Sequence, residues 1–256
     1  MPPKKAKKEE EKKDDGEQIE WYKKIPKKYI TESHNPGYEM HHLNLPFRIL
    51  ICGSSGSGKT QTLLSIMRAF TGTFEKITIL TRMAHEPLYQ WLNDEYSDKG
   101  IEVIEGTLSK LPDLNKIDKT MQTLLVLDDQ ITSSKREMVP LCEYFIRARK
   151  MGVSLIFITQ IFHEVPRMIR LQLSALFIKR LGSARDLTAI ASQHSHGLSK
   201  EELKAYYDRA TEQKKDWMLI DCESFEPKYK IRMNWTPFTD LDLKPAAAPF
   251  VEETKP

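Results

Sequence analysis

Cysteine is scarce: the 256 residues hold three, Cys52, Cys142 and Cys222, with no C-x-x-C spacing among them. That excludes a zinc framework and a disulfide scaffold, and fits thiols kept reduced. No apolar run approaches the roughly 18 residues of a membrane span, so none is expected. The Lys-rich start has no apolar h-region, which speaks against a secretory signal. An excess of one charge is missing too. The formal net charge is only +3, so any nucleic-acid contact has to come from a local basic surface. The histidine clusters, His41-His42 and His194-Ser195-His196, lack the further ligands of a closed metal site and read as structural or surface residues. Trp21, Trp91, Trp217 and Trp235 are scattered and read as packing residues. No internal repeat is visible.

What is present falls into three parts. Residues 1–18 carry blocks of Lys, Glu and Asp with almost no apolar side chains, and such a segment is expected to be disordered. Lys4, Lys5, Lys7 and Lys8 resemble a nuclear-import signal, although a solvated charged tail is the plainer reading. Residues 241–256, which include KPAAAPFVEETKP, read as a second, flexible tail. Residues 19–240 should form one domain, with a core over about 36–181 and C-terminal helices and a hairpin over 182–240.

Within that domain, strand-like runs alternate with helical patterns, which points to an α/β fold with a central, mostly parallel sheet flanked by helices. Strands are expected at Phe47–Cys52, Lys76–Leu80, Ile101–Ile104, Thr123–Leu127, Val153–Ile158 and Ala175–Ile178. Helices are expected over Gln61–Phe70, Glu86–Asn93, about Glu137–Lys150 and Pro166–Leu171, with two polar helices in 183–212. Trp217–Asp221 and Lys228–Met233 read as a terminal hairpin.

Three strand ends carry chemistry. Gly53-Ser54-Ser55-Gly56-Ser57-Gly58-Lys59-Thr60 fits the P-loop pattern G-x-x-x-x-G-K-[ST] in full, between an apolar strand and a helix that runs on through Gln61. Small residues let successive N–H groups curl round phosphate oxygens, and the helix N-terminus adds positive potential. Lys59 is expected on the β- and γ-phosphates of ATP, and the Thr60 hydroxyl on Mg²⁺. Thr123–Leu127 ends in Asp128-Asp129, the Walker B arrangement. Asp128 is expected to hold Mg²⁺, and Asp129 to act as general base toward water. Val153–Ile158 ends in Thr159-Gln160; its neighbour should be the Walker B strand, and Gln160 is placed to meet the γ-phosphate or the attacking water.

The order of these motifs, VLDD, then FIRARKMGVSLIFITQ, then HEVPRMIRLQLSALFIK, resembles the poxvirus-type genome-packaging ATPases of large DNA viruses and virophages. These belong to the FtsK–HerA superfamily of P-loop (ASCE-type) DNA pumps. The resemblance covers roughly residues 36–181. It implies an ATP-driven translocase that packages double-stranded DNA into a capsid, a homo-oligomeric ring of five or six subunits, and capsid or portal partners. It places the protein in the host-cell cytoplasm at a viral factory, or in the nucleus, or with the virion. It also implies an arginine acting from a neighbouring subunit. Among Arg147, Arg149 and Arg170 it favours Arg149, although the family has Arg-His where this chain has Arg149-Lys150. A solvated helix face or a phosphate contact to DNA is the other reading of each. Lys135 and Arg136 are candidates for the DNA channel. Three other functions fit a P-loop: a phosphotransferase acting on a small molecule, an NTP-gated switch, and a cellular DNA pump.

Overall fold

The computed structural model describes residues 20–26, 29, 33–130 and 135–239. The chain divides into two units, Met1–Glu32 and Ser33–Pro256. Of the first, α1 (Trp21–Lys24) is a single helical turn. The charged segment 1–18 and the tail 241–256 lie outside the described residues, as do the side chains of Lys135 and Arg136.

The second unit begins with α2 (Tyr38–His41) and continues through β1 (Arg48–Cys52), α3 (Lys59–Ala69), β2 (Lys76–Thr81), α4 (Pro87–Tyr96), β3 (Ile101–Glu105) and β4 (Thr123–Asp128). Then follow α5 (Lys135–Arg147), β5 (Val153–Thr159), α6 (Arg167–Arg170), β6 (Ala175–Ile178), α7 (Ala184–His194) and α8 (Lys200–Ala210). The unit ends with β7 (Met218–Asp221), α9 (Pro227–Lys230), β8 (Ile231–Met233) and β9 (Thr236–Pro237). The nine strands form one sheet in the order β3-β2-β4-β5-β1-β6-β7-β8-β9. The first six of these are parallel, and β7, β8 and β9 add on antiparallel beyond β6.

The central strands are apolar throughout because both faces are covered. Strand alternation divides their side chains between two cores. Leu50, Leu125, Leu127, Leu155 and Phe157 pack with Leu141 and Phe145 of α5 and with Ile190 of α7. Ile49, Ile51, Leu124, Val126, Ile156 and Ile158 pack on the other face with Leu63 and Ile66 of α3 and with Tyr89 and Leu92 of α4. Burying each such side chain contributes roughly 1.5–3 kcal/mol, so the central strands are rigid supports for whatever sits at their ends.

The expected strands and helices are present, with ends moved by a few residues. One reading is corrected: Lys228–Lys230 belongs to the turn of α9, and only Ile231–Met233 is strand. Pro227 opens this turn, a position where its missing N–H costs nothing. The hairpin is also no separate appendage, since β7 pairs directly with β6. The packing role read for the tryptophans holds for Trp217 and Trp235, which meet Phe177 edge-on or tilted. Trp21 and Trp91 are largely exposed. The three cysteines are free thiols.

Candidate functional site

Parallel strands send their C-terminal ends to one edge of the sheet, where ligands of open α/β sheets bind. At that edge β5 lies between β1 and β4, with Cys52 level with Thr159 and Asp128 level with Ile158. The sequence motifs therefore end side by side: Gly53 and Gln160 are neighbours in register, and Asp128 is about 10 Å from Gly53, two strand spacings away.

Gly53–Gly58 leaves β1 between the ends of β5 and β6. The Gly53 N–H donates to the Thr159 carbonyl (3.3 Å) and the Ser54 N–H to that of Arg180 (2.8 Å). A Cβ on Gly53 would stand 2.5 Å from the Lys179 Cβ and 2.7 Å from the Ser57 Oγ, so only glycine fits. Gly58 caps α3 at φ 93°, a left-handed conformation that glycine adopts without strain. The Lys59 Nζ donates to the carbonyls of Gly53 (2.9 Å) and Ser54 (3.0 Å), which holds the ammonium over the loop. Burial lowers the Lys59 pKa, and Asp128 and Asp129 oppose that shift. The Ser57 hydroxyl is buried without a partner. An ammonium, an orphaned hydroxyl and the N-terminus of an eleven-residue helix suit phosphate oxygens.

Asp128 shares the α3/α4 face with Leu124 and Val126. Its Oδ2 accepts a hydrogen bond of 2.6 Å from the hydroxyl of Tyr89, whose side chain is fully buried on α4. Burial pushes the Asp128 carboxyl above its ordinary range; the Tyr89 bond and Lys59 pull it back, while Asp129 and Glu86 push it further. Asp129 follows at φ 53°, so the chain turns out of the strand line there. Gln130, fully buried, donates to the carbonyls of Gly106 (3.0 Å) and Asp128 (3.2 Å) and ties the turn down. Among the described residues no group of three His, Cys, Asp or Glu side chains could hold a metal alone. Thr60 and Asp128 supply hard oxygen donors of the kind Mg²⁺ takes alongside phosphate oxygens, so the residues present fit that ion.

Gln160 directly follows β5 and is exposed. The three arginines are elsewhere. Arg149 precedes β5, and the seven residues of that strand put it about 20 Å from the loop of its own chain. There its Nη1 meets Glu223 Oε1 at 2.9 Å. Arg147 donates to Asn115 (3.0 Å), and Arg170 stacks over Phe162.

Five further residues, Tyr89, Glu86, Lys179, Lys214 and Lys215, reach the site without a motif of their own. A cleft of about 610 Å³ is lined by Gly56, Gly58, Lys59, Thr60 and Gln61 of the loop and helix start, together with Glu86, Lys214 and Lys215. Lys179, buried, donates to the carbonyls of Lys214 and Asp216 (2.7 Å each) and so ties down the segment that carries Lys214 and Lys215. Burial lowers its pKa to about 8, with Lys214 adding and Asp216 opposing. A signal existed for Glu86, which precedes the helix-opening Pro87. None existed for Tyr89, Lys179 or the 214–215 pair.

The family model described as "Poxvirus A32 protein" matches residues 38–225. No curated protein matches the chain. Among solved structures, the genome packaging NTPase B204 from Sulfolobus turreted icosahedral virus 2, in complex with ATP-gammaS, is similar in fold. The TM-score is 0.55 at 16% identity, covering 77% of this chain and 100% of that one. The same protein with AMPPCP gives the same values. B204, the DNA-packaging ATPase from Sulfolobus Turreted Icosahedral Virus, aligns at TM-score 0.52 and 15% identity, over 80% of this chain and 100% of its own.

Proposed function

The chain belongs to the poxvirus A32 protein family, and from that premise we propose how its residues carry out the work of a viral genome-packaging ATPase. The protein binds ATP and hydrolyses it, and DNA is its substrate for movement.

In our reading the loop Gly53–Gly58, with Lys59, Thr60 and Gln61, holds the phosphates. Thr60 and Asp128 would hold Mg²⁺, which would supply positive charge to the phosphate oxygens. Water attacks the γ-phosphorus; Asp129 takes the proton from that water, and ADP departs as the bond to its β-phosphate oxygen breaks. Gln160, beside Gly53 in register, orients the water or the γ-phosphate. The observation that carries the reading is the convergence at one sheet end of Lys59, Asp128 and Gln160.

Arg149 is too far from its own loop to take part there, which suits action on a neighbouring subunit. We therefore propose a homo-oligomeric ring in which each site borrows Arg149, with Arg147 and Arg170 as alternatives. Lys135 and Arg136, at the start of α5, are proposed for the DNA channel, where phosphate contacts need no base reading. A viral factory in the host-cell cytoplasm is the proposed setting, with a capsid or portal as docking partner.

ATP hydrolysis measured with and without double-stranded DNA, beside a native mass, tests this. Stimulation by DNA in an oligomer is expected. DNA-independent turnover by a monomer would favour a small-molecule phosphotransferase.

A further inference from the structure

Tyr89 does nothing that a core residue needs a hydroxyl for. Its ring packs with Leu63, Ile66, Leu124 and Val126, where phenylalanine would serve equally well. A buried tyrosine hydroxyl usually finds a partner, and this one finds Asp128 Oδ2 at 2.6 Å, across 39 residues of chain. The distance is that of a hydrogen bond to an ionised carboxylate.

The placement is specific. Tyr89 lies in the first turn of α4, and Glu86, the residue that caps this helix, lines the same cleft as Thr60. The Tyr89 N–H donates to the Glu86 carbonyl at 2.9 Å, closing the first turn of the helix. The neighbouring strand β2 feeds this helix, and its Thr81 is level with Asp128. The helix is thus anchored to the strand that carries the acid.

We propose that Tyr89 is a positioning residue for the nucleotide site: its hydroxyl holds Oδ2 of Asp128, fixing the rotamer in which the carboxylate meets Mg²⁺. The inference rests on the role given to Asp128 above. A carboxylate on a strand end swings freely about two torsions; the bond to a rigid, buried phenol removes that freedom before the metal arrives. Partners of metal-binding side chains typically contribute 10–100-fold to metal affinity.

The test is equilibrium binding of a fluorescent, non-hydrolysable ATP analogue, titrated with and without Mg²⁺, to wild type, Tyr89→Phe and Asp128→Asn. Hydrolysis plays no part in this readout. The expected result is that Tyr89→Phe keeps the metal-free affinity and the thermal midpoint close to wild type. Its Mg²⁺ requirement should rise 10–100-fold. Asp128→Asn should lose the Mg²⁺ enhancement altogether. If Asp128→Asn is defective and Tyr89→Phe titrates with Mg²⁺ like wild type, the positioning role is wrong and the metal role stands. If Tyr89→Phe loses metal-free and Mg²⁺-dependent affinity in equal measure, the hydroxyl serves packing and the inference fails. If Asp128→Asn retains the full enhancement, the metal role itself fails and takes the inference with it.

Discussion

Asp128 and Asp129 are adjacent and chemically identical, yet their surroundings differ. Asp128 continues the strand alternation onto the α3/α4 face and is tied to Tyr89. Asp129 sits at φ 53° and leaves the strand line. Asparagine tolerates that left-handed conformation as aspartate does, so Asp129→Asn removes the carboxylate without disturbing the turn. We expect this variant to bind ATP and Mg²⁺ normally and to hydrolyse ATP about 10²- to 10⁴-fold more slowly, the usual contribution of a general base. Asp128→Asn should instead weaken Mg²⁺-dependent binding. Equal binding defects in the two variants, measured by nucleotide titration, would show that the division of labour is wrong.

At the scale of elements, the loop is as much a packing problem as a binding one. In Gly53→Ala the new Cβ meets the Lys179 Cβ at 2.5 Å, and neither β1 nor β6 can yield without moving a buried strand. Overpacking of this kind costs about 1–3 kcal/mol. Displacement of the loop should therefore weaken ATP-analogue binding about tenfold or more, since 1.4 kcal/mol is a factor of ten. Unchanged affinity in a titration would mean that the loop is more pliable than its two strand anchors imply.

The helical segments contribute a pH dependence. His41, buried at the end of α2, accepts the Leu43 N–H at its Nδ1 (3.0 Å), a bond that protonation would break. Burial, then Arg232 and His42, lower its pKa to about 4. His194 at the end of α7 is lowered to about 4 by burial, with His196 and Arg170 adding. The unfolded chain binds these protons first, so stability is full above about pH 6.5 and falls as the pH drops toward 4. Each histidine should cost about 1–2 kcal/mol at pH 5 relative to pH 7. Denaturant midpoints at the two pH values check this, and equal midpoints would contradict it.

These elements also show what the sequence made legible. The loop, the Walker B acids and Gln160 could be read because each is local: an apolar run, then polar residues at fixed spacing. The parallel order followed from alternation of strand and helix patterns. Tyr89, Lys179 and Lys214 could not be read as site residues, because their roles arise from contacts across 30 or more positions that no periodicity records. The strand read over Lys228–Met233 failed at Pro227, where a helix-opening signal competes with the β-pattern.

At the scale of the whole molecule, the proposed ring rests on Arg149, which lies at the far end of β5 from its own phosphate loop. Arg149→Ala should bind ATP normally and turn over about 10³- to 10⁵-fold more slowly, the range for an arginine supplied from a partner. Mixed with Lys59→Ala under conditions that permit subunit exchange, it should recover part of the activity, because some interfaces then pair an intact loop with an intact arginine. A flat rate across mixing ratios, with exchange confirmed, would remove Arg149 from this role and leave Arg147 and Arg170 to be tried.

The central claim is that hydrolysis at this site moves the protein along double-stranded DNA. Displacement of a third strand from a DNA triplex by the purified protein measures that movement directly. We predict displacement that requires ATP, stops with a non-hydrolysable analogue, and is abolished in Lys59→Ala while circular dichroism shows its fold unchanged. Full ATP turnover on the same DNA with no third strand released would contradict the account.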